Sequence, residues 1–329
     1  MTTARGNAWY AGRPVLVVGG LGFIGANLSR RLVSCGAACT VVTPARAAHQ
    51  EDAAAIESSG GRIVEADVRD AAAMRAAVAG QQVVFNLAAR SGAVRSLDDP
   101  FADLDVNCRG ALVLLEALRE VNRDSTVVFS SSRLAYGPVG EQPAREDREI
   151  DPRCTHAIHK LAVEQYLHLY GRLFGLRYAI ARVTNPYGPG QPGERTAYGV
   201  VNRMIHLAIA GGTITVYGDG RQRRDYIYVD DVVDALLGLG ERGAADGRTY
   251  NVGTGIGTPL VDMARAVMAM AGGGRLEHVE WPALAKQIET GDFVADISRI
   301  QKDLGWQPRV ALEDGLRRTV EHYRAHLGS

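Results

Sequence analysis

The amino-acid sequence predicts an α/β fold of the Rossmann type, a doubly wound parallel sheet with a smaller C-terminal substrate lobe. Two observations lead to this prediction. Short apolar segments alternate with stretches of helical period over the first half of the chain, which favours right-handed crossovers and parallel strands. The first of these segments also runs through a glycine-rich turn into a helix, the arrangement that binds a dinucleotide pyrophosphate.

The glycine turn follows the first strand, and its glycines are spaced three residues apart. Glycine permits a tight turn and a close approach of backbone to ligand, and the first turn of the next helix presents free N–H groups to an anion. We therefore predict a dinucleotide site at this turn. Its predicted contacts are Gly19, Gly22, Phe23, Ile24 and Gly25.

The remaining elements follow from apolar runs and helical periodicity. Strands are predicted at Ala38–Thr43, Arg62–Asp67, Gln82–Ala88, Ser125–Ser131 and Arg177–Val183, and helices at Asp103–Val121, Arg153–Phe174 and around Leu312–Ala325. The alternation changes after residue 184, where residues 185–193 are rich in Pro and Gly and predict a loop. We therefore predict a mainly dinucleotide-binding domain at 1–184. Residues 185–329 are expected to form mainly a substrate lobe, with some segments returning to the main sheet.

Composition narrows the class of protein. The formal net charge is zero, so neither a nucleic-acid partner nor binding to an anionic membrane is expected. No apolar run approaches the ~20 residues of a membrane span, and no secretory signal is recognised at the N-terminus. Four scattered cysteines do not predict a disulfide framework. We expect a cytoplasmic protein without a metal site, acting on a small molecule.

Several motifs resemble the extended short-chain dehydrogenase/reductase family, in its nucleotide-sugar epimerase and dehydratase branch. They are the glycine turn, Asp67-Val68, Asn86-Leu87-Ala88-Ala89, Phe129-Ser130-Ser131-Ser132, Asn185-Pro-Tyr-Gly-Pro-Gly and Gly218 to Asp231. The resemblance implies that the cofactor is also contacted by Asp67, Val68, Leu87 and Ala88. It implies substrate contacts from Ser132, Asn185, Tyr187 and Arg224. Arg224 either anchors a diphosphate or forms a structural ion pair with Asp225.

The first departure from the family pattern concerns the adenosine ribose. Members of the family usually carry an acidic residue at the end of strand two, where this chain has Thr43-Pro44-Ala45-Arg46. Without a carboxylate to repel a 2′-phosphate, and with Arg46 available to bind it, NADP(H) is favoured. The alternative is that Arg46 is a solvated loop residue and that the cofactor is NAD.

The second departure concerns the catalytic residues. The family places a tyrosine four residues before a lysine, and this chain has His156 four residues before Lys160. The spacing of four keeps both side chains on one helix face, and the resemblance implies that Lys160 binds the nicotinamide ribose. Ser132, His156 and Lys160 are the predicted catalytic residues, with His156 as a proton donor or base.

Together the two departures favour an NADPH-dependent ketoreductase acting on a bulky natural-product ketone such as an aromatic polyketide, with the proton supplied by substrate or water. They are similar to those of an atypical family member that lacks the tyrosine and reduces an angucyclinone ketone. One alternative is a nucleotide-sugar 4-epimerase or dehydratase that uses NAD with His156 as base. Another is a catalytically inactive NADP-binding regulator. By analogy with the family, a homodimer is expected to form through the two long helices.

Overall fold

The computed structural model describes residues 8–191, 199–241 and 247–327. The strands are β1 (Pro14–Val18), β2 (Ala38–Thr43), β3 (Arg62–Glu65), β4 (Val83–Asn86), β5 (Thr126–Ser132), β6 (Arg177–Val183), β7 (Asn185–Tyr187), β8 (Thr213–Tyr217), β9 (Arg223–Tyr228), β10 (Arg248–Val252), β11 (Gly257–Pro259) and β12 (Arg275–Val279).

The helices are α1 (Phe23–Ser34), α2 (Gln50–Ser58), α3 (Ala71–Val78), α4 (Ala93–Asp98), α5 (Pro100–Leu104), α6 (Gly110–Val121), α7 (Thr155–Phe174), α8 (Val200–Ile209), α9 (Val229–Gly240), α10 (Leu260–Ala271), α11 (Ala283–Ile288), α12 (Ser298–Leu304) and α13 (Leu312–Leu327).

Seven strands of the described chain form the main sheet, in the order β10-β6-β5-β4-β1-β2-β3. Every neighbouring pair in this sheet is parallel, which confirms the predicted α/β fold. Because side chains alternate along a strand, β1 has apolar residues on both faces. Val15 and Val17 pack with Leu28 of α1, whereas Leu16 packs with Leu114 of α6 on the opposite face.

The C-terminal half contributes to two regions. Strand β10 lies at the edge of the main sheet beside β6, while α8, α10 and α13 enclose a separate apolar core with β7 and β9. The described residues of this half also form a three-stranded sheet, β11-β9-β7, and a β12-β8 pair. The division at residues 184 and 185 stays a prediction.

Most predicted bounds hold within a few residues, and two differences are informative. The loop predicted at 185–193 is wrong at its start, because residues 185–187 form β7. Pro186 is tolerated there because β7 is an edge strand paired only with β9; residues 192 and 193 lie outside the described residues. The helix predicted at Asp103–Val121 is interrupted by a π-helical turn at Asp105–Arg109, an irregularity that often marks a functional site.

All four cysteines are free thiols. Among the helices that the structure describes, none combines the length and apolarity needed to cross a membrane.

Candidate active site

A cavity of about 310 Å³ opens beside the glycine turn, the end of β5 and the start of α7. Because the strands of the main sheet are parallel, their carboxyl ends meet at this edge, where ligands of open α/β sheets bind. The predicted site residues that line it are Gly19, Gly22, Phe23, Ile24, Gly25, Leu87, Ser132, His156, Lys160 and Asn185. The cavity therefore brings together the predicted cofactor turn and all three predicted catalytic residues.

The glycine turn fits a dinucleotide. A Cβ at Gly19, whose φ is +80°, would lie 2.7 Å from the backbone nitrogen of Ala88, and a Cβ at Gly25 would overlap the carbonyl oxygen of Gly19. A Cβ at Gly22 would meet only that oxygen, at 3.4 Å, so side-chain space at Gly22 is left open toward the cavity. Helix α1 has no acidic residue in its first turn and no side-chain cap, which leaves its N–H groups available to a pyrophosphate.

The end of β2 does not present a free cation. Arg46 forms an ion pair with Glu57, with 2.8 Å between Nη2 and Oε2, and both side chains are substantially exposed. Thr43 is buried, and its Oγ1 accepts a hydrogen bond from the N–H of Ala45 at 3.3 Å. A 2′-phosphate would have to compete with Glu57 for the Arg46 guanidinium.

Asp67, Val68 and Ala88, which are also predicted to contact the cofactor, do not line the cavity. Hydrogen bonds from Arg69 lower the pKa of Asp67, despite some burial. Val68 is buried, and its side chain leaves no room for a Cβ at Gly110. Ala88 packs its backbone against Gly19. Their contacts with a cofactor stay predictions.

Lys160 is buried on α7 and is held by the main chain of β5. Its Nζ donates a hydrogen bond to the carbonyl oxygen of Ser130 at 2.8 Å and lies 4.7 Å from the centroid of the Phe129 ring. Burial lowers the pKa of Lys160 to about 8, against opposing effects from Asp103 and other negative groups. The amine thus points into the cavity wall with a weakened affinity for its proton.

Ser132 ends β5 at the cavity wall. Its Oγ accepts a hydrogen bond from the N–H of Leu134 at 3.2 Å, so it caps the short 3₁₀ helix at Arg133–Tyr136. This is the structural use that serines at strand ends commonly have. The hydroxyl proton remains available to a ligand in the cavity, because accepting this bond does not use it.

His156 lies one turn before Lys160 and is 6% exposed. Its backbone N–H donates to the Oγ of Ser96 at 3.0 Å. The ring Nδ1 lies 3.4 Å from Nδ2 of Asn107 and 3.7 Å from Oδ2 of Asp103. Because Nδ1 is turned toward these buried groups, we infer that Nε2 is the ring nitrogen available to a ligand.

Two guanidinium groups lie close together beyond Asn185. Arg224 forms an ion pair with Glu289, so the predicted pairing with Asp225 is wrong. Burial, followed by repulsion from Arg224, lowers the pKa of Arg133 to about 9. Arg133 donates to Oδ1 of Asn185 at 3.2 Å, and no carboxylate in the described part of the chain forms an ion pair with it.

Asp225 instead receives hydrogen bonds from loop backbone. The N–H groups of Thr254, Gly255 and Ala295 donate to its carboxylate at 2.8, 3.0 and 3.1 Å. This buried carboxylate therefore joins two loops, and the Arg224 side chain is left to Glu289.

Tyr187 is buried in the C-terminal core rather than at the cavity. Its hydroxyl donates to the carbonyl oxygen of Leu312 at 3.3 Å, and its ring packs edge-on against Tyr228 with 5.7 Å between centroids. A role in substrate binding stays a prediction.

Sequence reasoning missed three side chains near the site, Asp103, His159 and Arg133. Asp103, in α5, and Asn107, in the π-helical turn that follows, are four residues apart, and His156 and His159 of α7 are three apart. Those two spacings place each pair on one helix face, and they were the features of the sequence that could have indicated these side chains. Nothing in the sequence indicated that the two faces meet.

The parallel sheet, the glycine turn and the cavity define a dinucleotide-binding protein of the Rossmann type. A model of the NAD dependent epimerase/dehydratase family matches residues 15–253, and the chain belongs to this family. This confirms the resemblance to the extended short-chain dehydrogenase/reductase family. The family is NAD-dependent, which indicates an enzyme of the NAD(P)-dependent oxidoreductase type.

Several characterised proteins are similar over nearly their whole length. A UDP-glucose 4-epimerase of Mycolicibacterium smegmatis is 35% identical, over 94% of this chain and 98% of its own. The structure of a Thermotoga maritima UDP-glucose 4-epimerase with UDP-glucose has a TM-score of 0.86 and 31% identity, over 95% of this chain and 99% of that one. A Streptomyces venezuelae dTDP-glucose 4,6-dehydratase with NAD bound has a TM-score of 0.87 and 26% identity, over 96% and 98%.

These relatives overturn one prediction. The NADPH-dependent ketoreductase acting on a natural-product ketone is wrong, because the relatives are nucleotide-sugar 4-epimerases and dehydratases. The finding supports the nucleotide-sugar alternative instead. The ketoreductase prediction rested on the missing acidic residue at the end of β2 and the missing tyrosine, and neither departure identifies the substrate.

Proposed function

We propose that this protein is an NAD-dependent nucleotide-sugar 4-epimerase in which His156 replaces the family tyrosine as the proton-transferring residue. The observation that supports the proposal most directly is the position of His156. It lines the same cavity as Ser132, Lys160 and the glycine turn, with Nδ1 turned toward buried groups. An imidazole, which can accept and return a proton, is therefore present where the chemistry requires one.

The reaction is inversion at C4 through a 4-keto intermediate. When bound at the glycine turn, NAD supplies a hydride acceptor and donor. His156 Nε2 takes the proton of the C4 hydroxyl during oxidation and returns a proton to that oxygen once the ketone has presented its opposite face. Ser132 Oγ donates a hydrogen bond to the same oxygen. The Lys160 ammonium, held by Ser130, stabilises negative charge developing there.

Epimerisation is favoured over 4,6-dehydration by the composition of the cavity wall. Dehydration requires one group to remove the C5 proton and another to protonate the departing C6 hydroxyl, besides the base at C4. His156 and Lys160 are the titratable residues among the described cavity lining, which contains no Asp or Glu. Inversion at C4 needs only one proton-transferring group, and His156 meets that requirement.

A nucleotide sugar is favoured by the charge near Asn185. Arg133 and Arg224 are both more than nine-tenths buried, and Glu289 pairs with Arg224. Two cations with one paired carboxylate leave a positive excess, and a buried charge without a partner is costly. A diphosphate would offset that cost, and guanidinium groups bind phosphate oxygens with good geometry.

The cofactor is proposed to be NAD. The ion pair between Arg46 and Glu57 weakens the argument that Arg46 binds a 2′-phosphate. NADP stays a prediction from the missing acidic residue at the end of β2. Competition between NAD and NADP for the purified protein, followed by protein fluorescence, measures the preference directly.

The expected homodimer is supported by apolar side chains exposed on the helices named for it. Leu104 of α5 is 46% exposed, and Leu173 and Ile158 of α7 are 60% and 51% exposed. Large exposed apolar groups on neighbouring helices often mark a protein interface. Sedimentation of the protein at several concentrations measures the oligomeric state.

The function is tested by incubating the protein and NAD with UDP-glucose, UDP-galactose, UDP-N-acetylglucosamine and dTDP-glucose, and following the sugar protons by NMR. We expect the C4 epimer of at least one substrate, formed reversibly and without net consumption of NAD. A 4-keto-6-deoxy product would identify a dehydratase. Absence of conversion in every incubation, with NAD shown to be bound, would contradict the proposal and favour a catalytically inactive binding protein.

A further inference from the structure

A buried carboxylate lies behind the cavity wall, between His156 and His159 of α7. Asp103 is fully buried, and its Oδ1 lies 2.6 Å from Nδ1 of His159. Oδ1 also accepts a hydrogen bond from Nδ2 of Asn107 at 2.8 Å. The other oxygen, Oδ2, has no hydrogen-bond partner among the described residues. Its near neighbour is Nδ1 of His156, at 3.7 Å.

The orientation of the Asn107 amide is determined by its backbone partners. Its Oδ1 accepts from the N–H of Arg90 at 2.9 Å, and its Nδ2 donates to the carbonyl oxygen of Arg90 at 3.1 Å. Nδ2 carries two hydrogens, and the bonds to Arg90 and Asp103 use both. Asn107 therefore has no proton left for His156, although Nδ2 lies 3.4 Å from the ring nitrogen.

The position of the proton on the His156 imidazole follows from this count of hydrogen-bond donors. If Nδ1 of His156 were unprotonated, its lone pair would face an amide without a free hydrogen and a carboxylate that repels it. If Nδ1 carries the proton, it becomes the donor that Oδ2 of Asp103 lacks. The 3.7 Å separation is longer than a hydrogen bond, but catalytic hydrogen bonds are often long in structures without substrate and tighten when it binds.

We propose that Asp103 is a positioning residue that holds His156 in the tautomer protonated at Nδ1, so that Nε2 presents its lone pair to the cavity. This inference rests on the proposed function for its catalytic consequence. The tautomer of His156 itself does not depend on which substrate binds.

Asp103 is equipped to remain an anion. Burial alone would raise the pKa of Asp103, but the neighbouring His156 ring and the hydrogen bonds from His159 and Asn107 outweigh burial and lower it to about 2. Metal binding does not explain the cluster, because Asp103 and His159 are in direct hydrogen-bond contact. Across residues 8–191, 199–241 and 247–327, no group of three or more His, Cys, Asp or Glu is arranged to hold a metal ion.

Asp103→Asn is the decisive variant because its geometry is defined. The donors His159 and Asn107 surround the position of Oδ1, so the new carbonyl oxygen will take that position. The new NH₂ group will then lie at the position of Oδ2 and donate to His156. His156 will lose its Nδ1 proton, Nε2 will be protonated, and the base will be lost from the cavity with little change in shape.

The tautomer is measured first, without substrate, by long-range ¹H–¹⁵N correlation NMR of the imidazole in the NAD-bound protein. We expect the wild-type ring to carry its proton on Nδ1 and the Asp103→Asn ring to carry it on Nε2. A wild-type ring protonated on Nε2 overturns the proposal whether or not the variant folds. The expected tautomer without turnover of any nucleotide sugar refutes the proposed function and leaves the positioning role in place.

Turnover is measured second, with Asp234→Asn as the matched control. Asp234 lies on α9 and forms an ion pair with Arg31 at 2.8 Å, away from the cavity. We expect Asp103→Asn to lower kcat by about 100-fold or more, with KM changed less than about threefold, and the control to retain wild-type kcat. Equal values of kcat for wild type and Asp103→Asn would overturn the proposal.

Discussion

The two ends of the cavity are built differently. The cofactor end is a single run of chain from Gly19 to Gly25, in which the backbone itself leaves the space and supplies the N–H groups. The catalytic end draws on the end of β5, α4, α5, the π-helical turn and α7, and it depends on side chains that meet only after folding. We therefore expect cofactor binding to be sensitive mainly to substitutions within residues 19–25. Catalysis, in contrast, can be affected by a substitution in any of several elements.

The largest effect is expected at the catalytic end, from His156→Ala. Removing the imidazole removes the proton acceptor for the C4 hydroxyl, and general-base catalysis of this kind contributes about 10²–10⁴-fold. We expect kcat for epimerisation to fall by about 10³-fold. NAD affinity, measured by fluorescence titration, should change little, because the turn that binds the pyrophosphate is untouched. A variant that keeps its kcat would show that water or substrate carries the proton.

At the cofactor end, Gly25→Ala and Gly22→Ala form a matched pair. A Cβ at residue 25 overlaps the carbonyl oxygen of Gly19, while one at residue 22 makes a contact of only 3.4 Å. We expect Gly25→Ala to lower the free energy of unfolding by about 3 kcal/mol, as measured by urea denaturation. Gly22→Ala should fold normally and lose NAD affinity. Similar unfolding curves for the two variants would contradict this account of the turn.

Lys160 joins the two ends and adds a dependence on pH. Its pKa is lowered from 10.5 to about 8, so between these values the unfolded chain binds a proton that the folded chain does not. The free energy of unfolding therefore rises with pH in this window, by up to about 1 kcal/mol per unit. Between pH 8 and 10, we expect the free energy of unfolding measured by urea denaturation to rise more for wild type than for Lys160→Met. Parallel curves for the two proteins would show that the amine is not perturbed by burial.

The smallest effect is expected from Arg133→Met, beside the substrate end. Removing one of two neighbouring guanidinium groups weakens binding of a diphosphate, and we expect KM for the nucleotide sugar to rise about tenfold with kcat little changed. The control is Arg145→Met, since Arg145 is exposed and pairs with Asp147 on the surface. An equal rise in KM in both variants would show that the effect is not specific to the site.

The cofactor end was largely predictable and the catalytic end only in part. Gly19, Gly22 and Gly25 line the cavity as predicted, because the strand, turn and helix that place them are consecutive in the chain. His156 and Lys160 were also placed correctly by their helical spacing. The function was misjudged because the missing acidic residue at the end of β2 and the missing tyrosine were together taken to favour net reduction, whereas the relatives are nucleotide-sugar 4-epimerases and dehydratases.

The glycine turn and the pairing of His156 with Lys160 could be predicted from the sequence because each depends on residues within about two turns of chain. The Rossmann-type sheet could be predicted because strands and helices alternate along the chain. Two contacts form only in the folded protein and could not be predicted from the sequence. Asp103 faces His156, and Arg224 forms an ion pair with Glu289 instead of its neighbour Asp225. The physical reason is that hydrogen bonds and ion pairs depend on distance in space. Asn107 and His156, 49 residues apart in the chain, come into contact only when α7 packs against the π-helical turn.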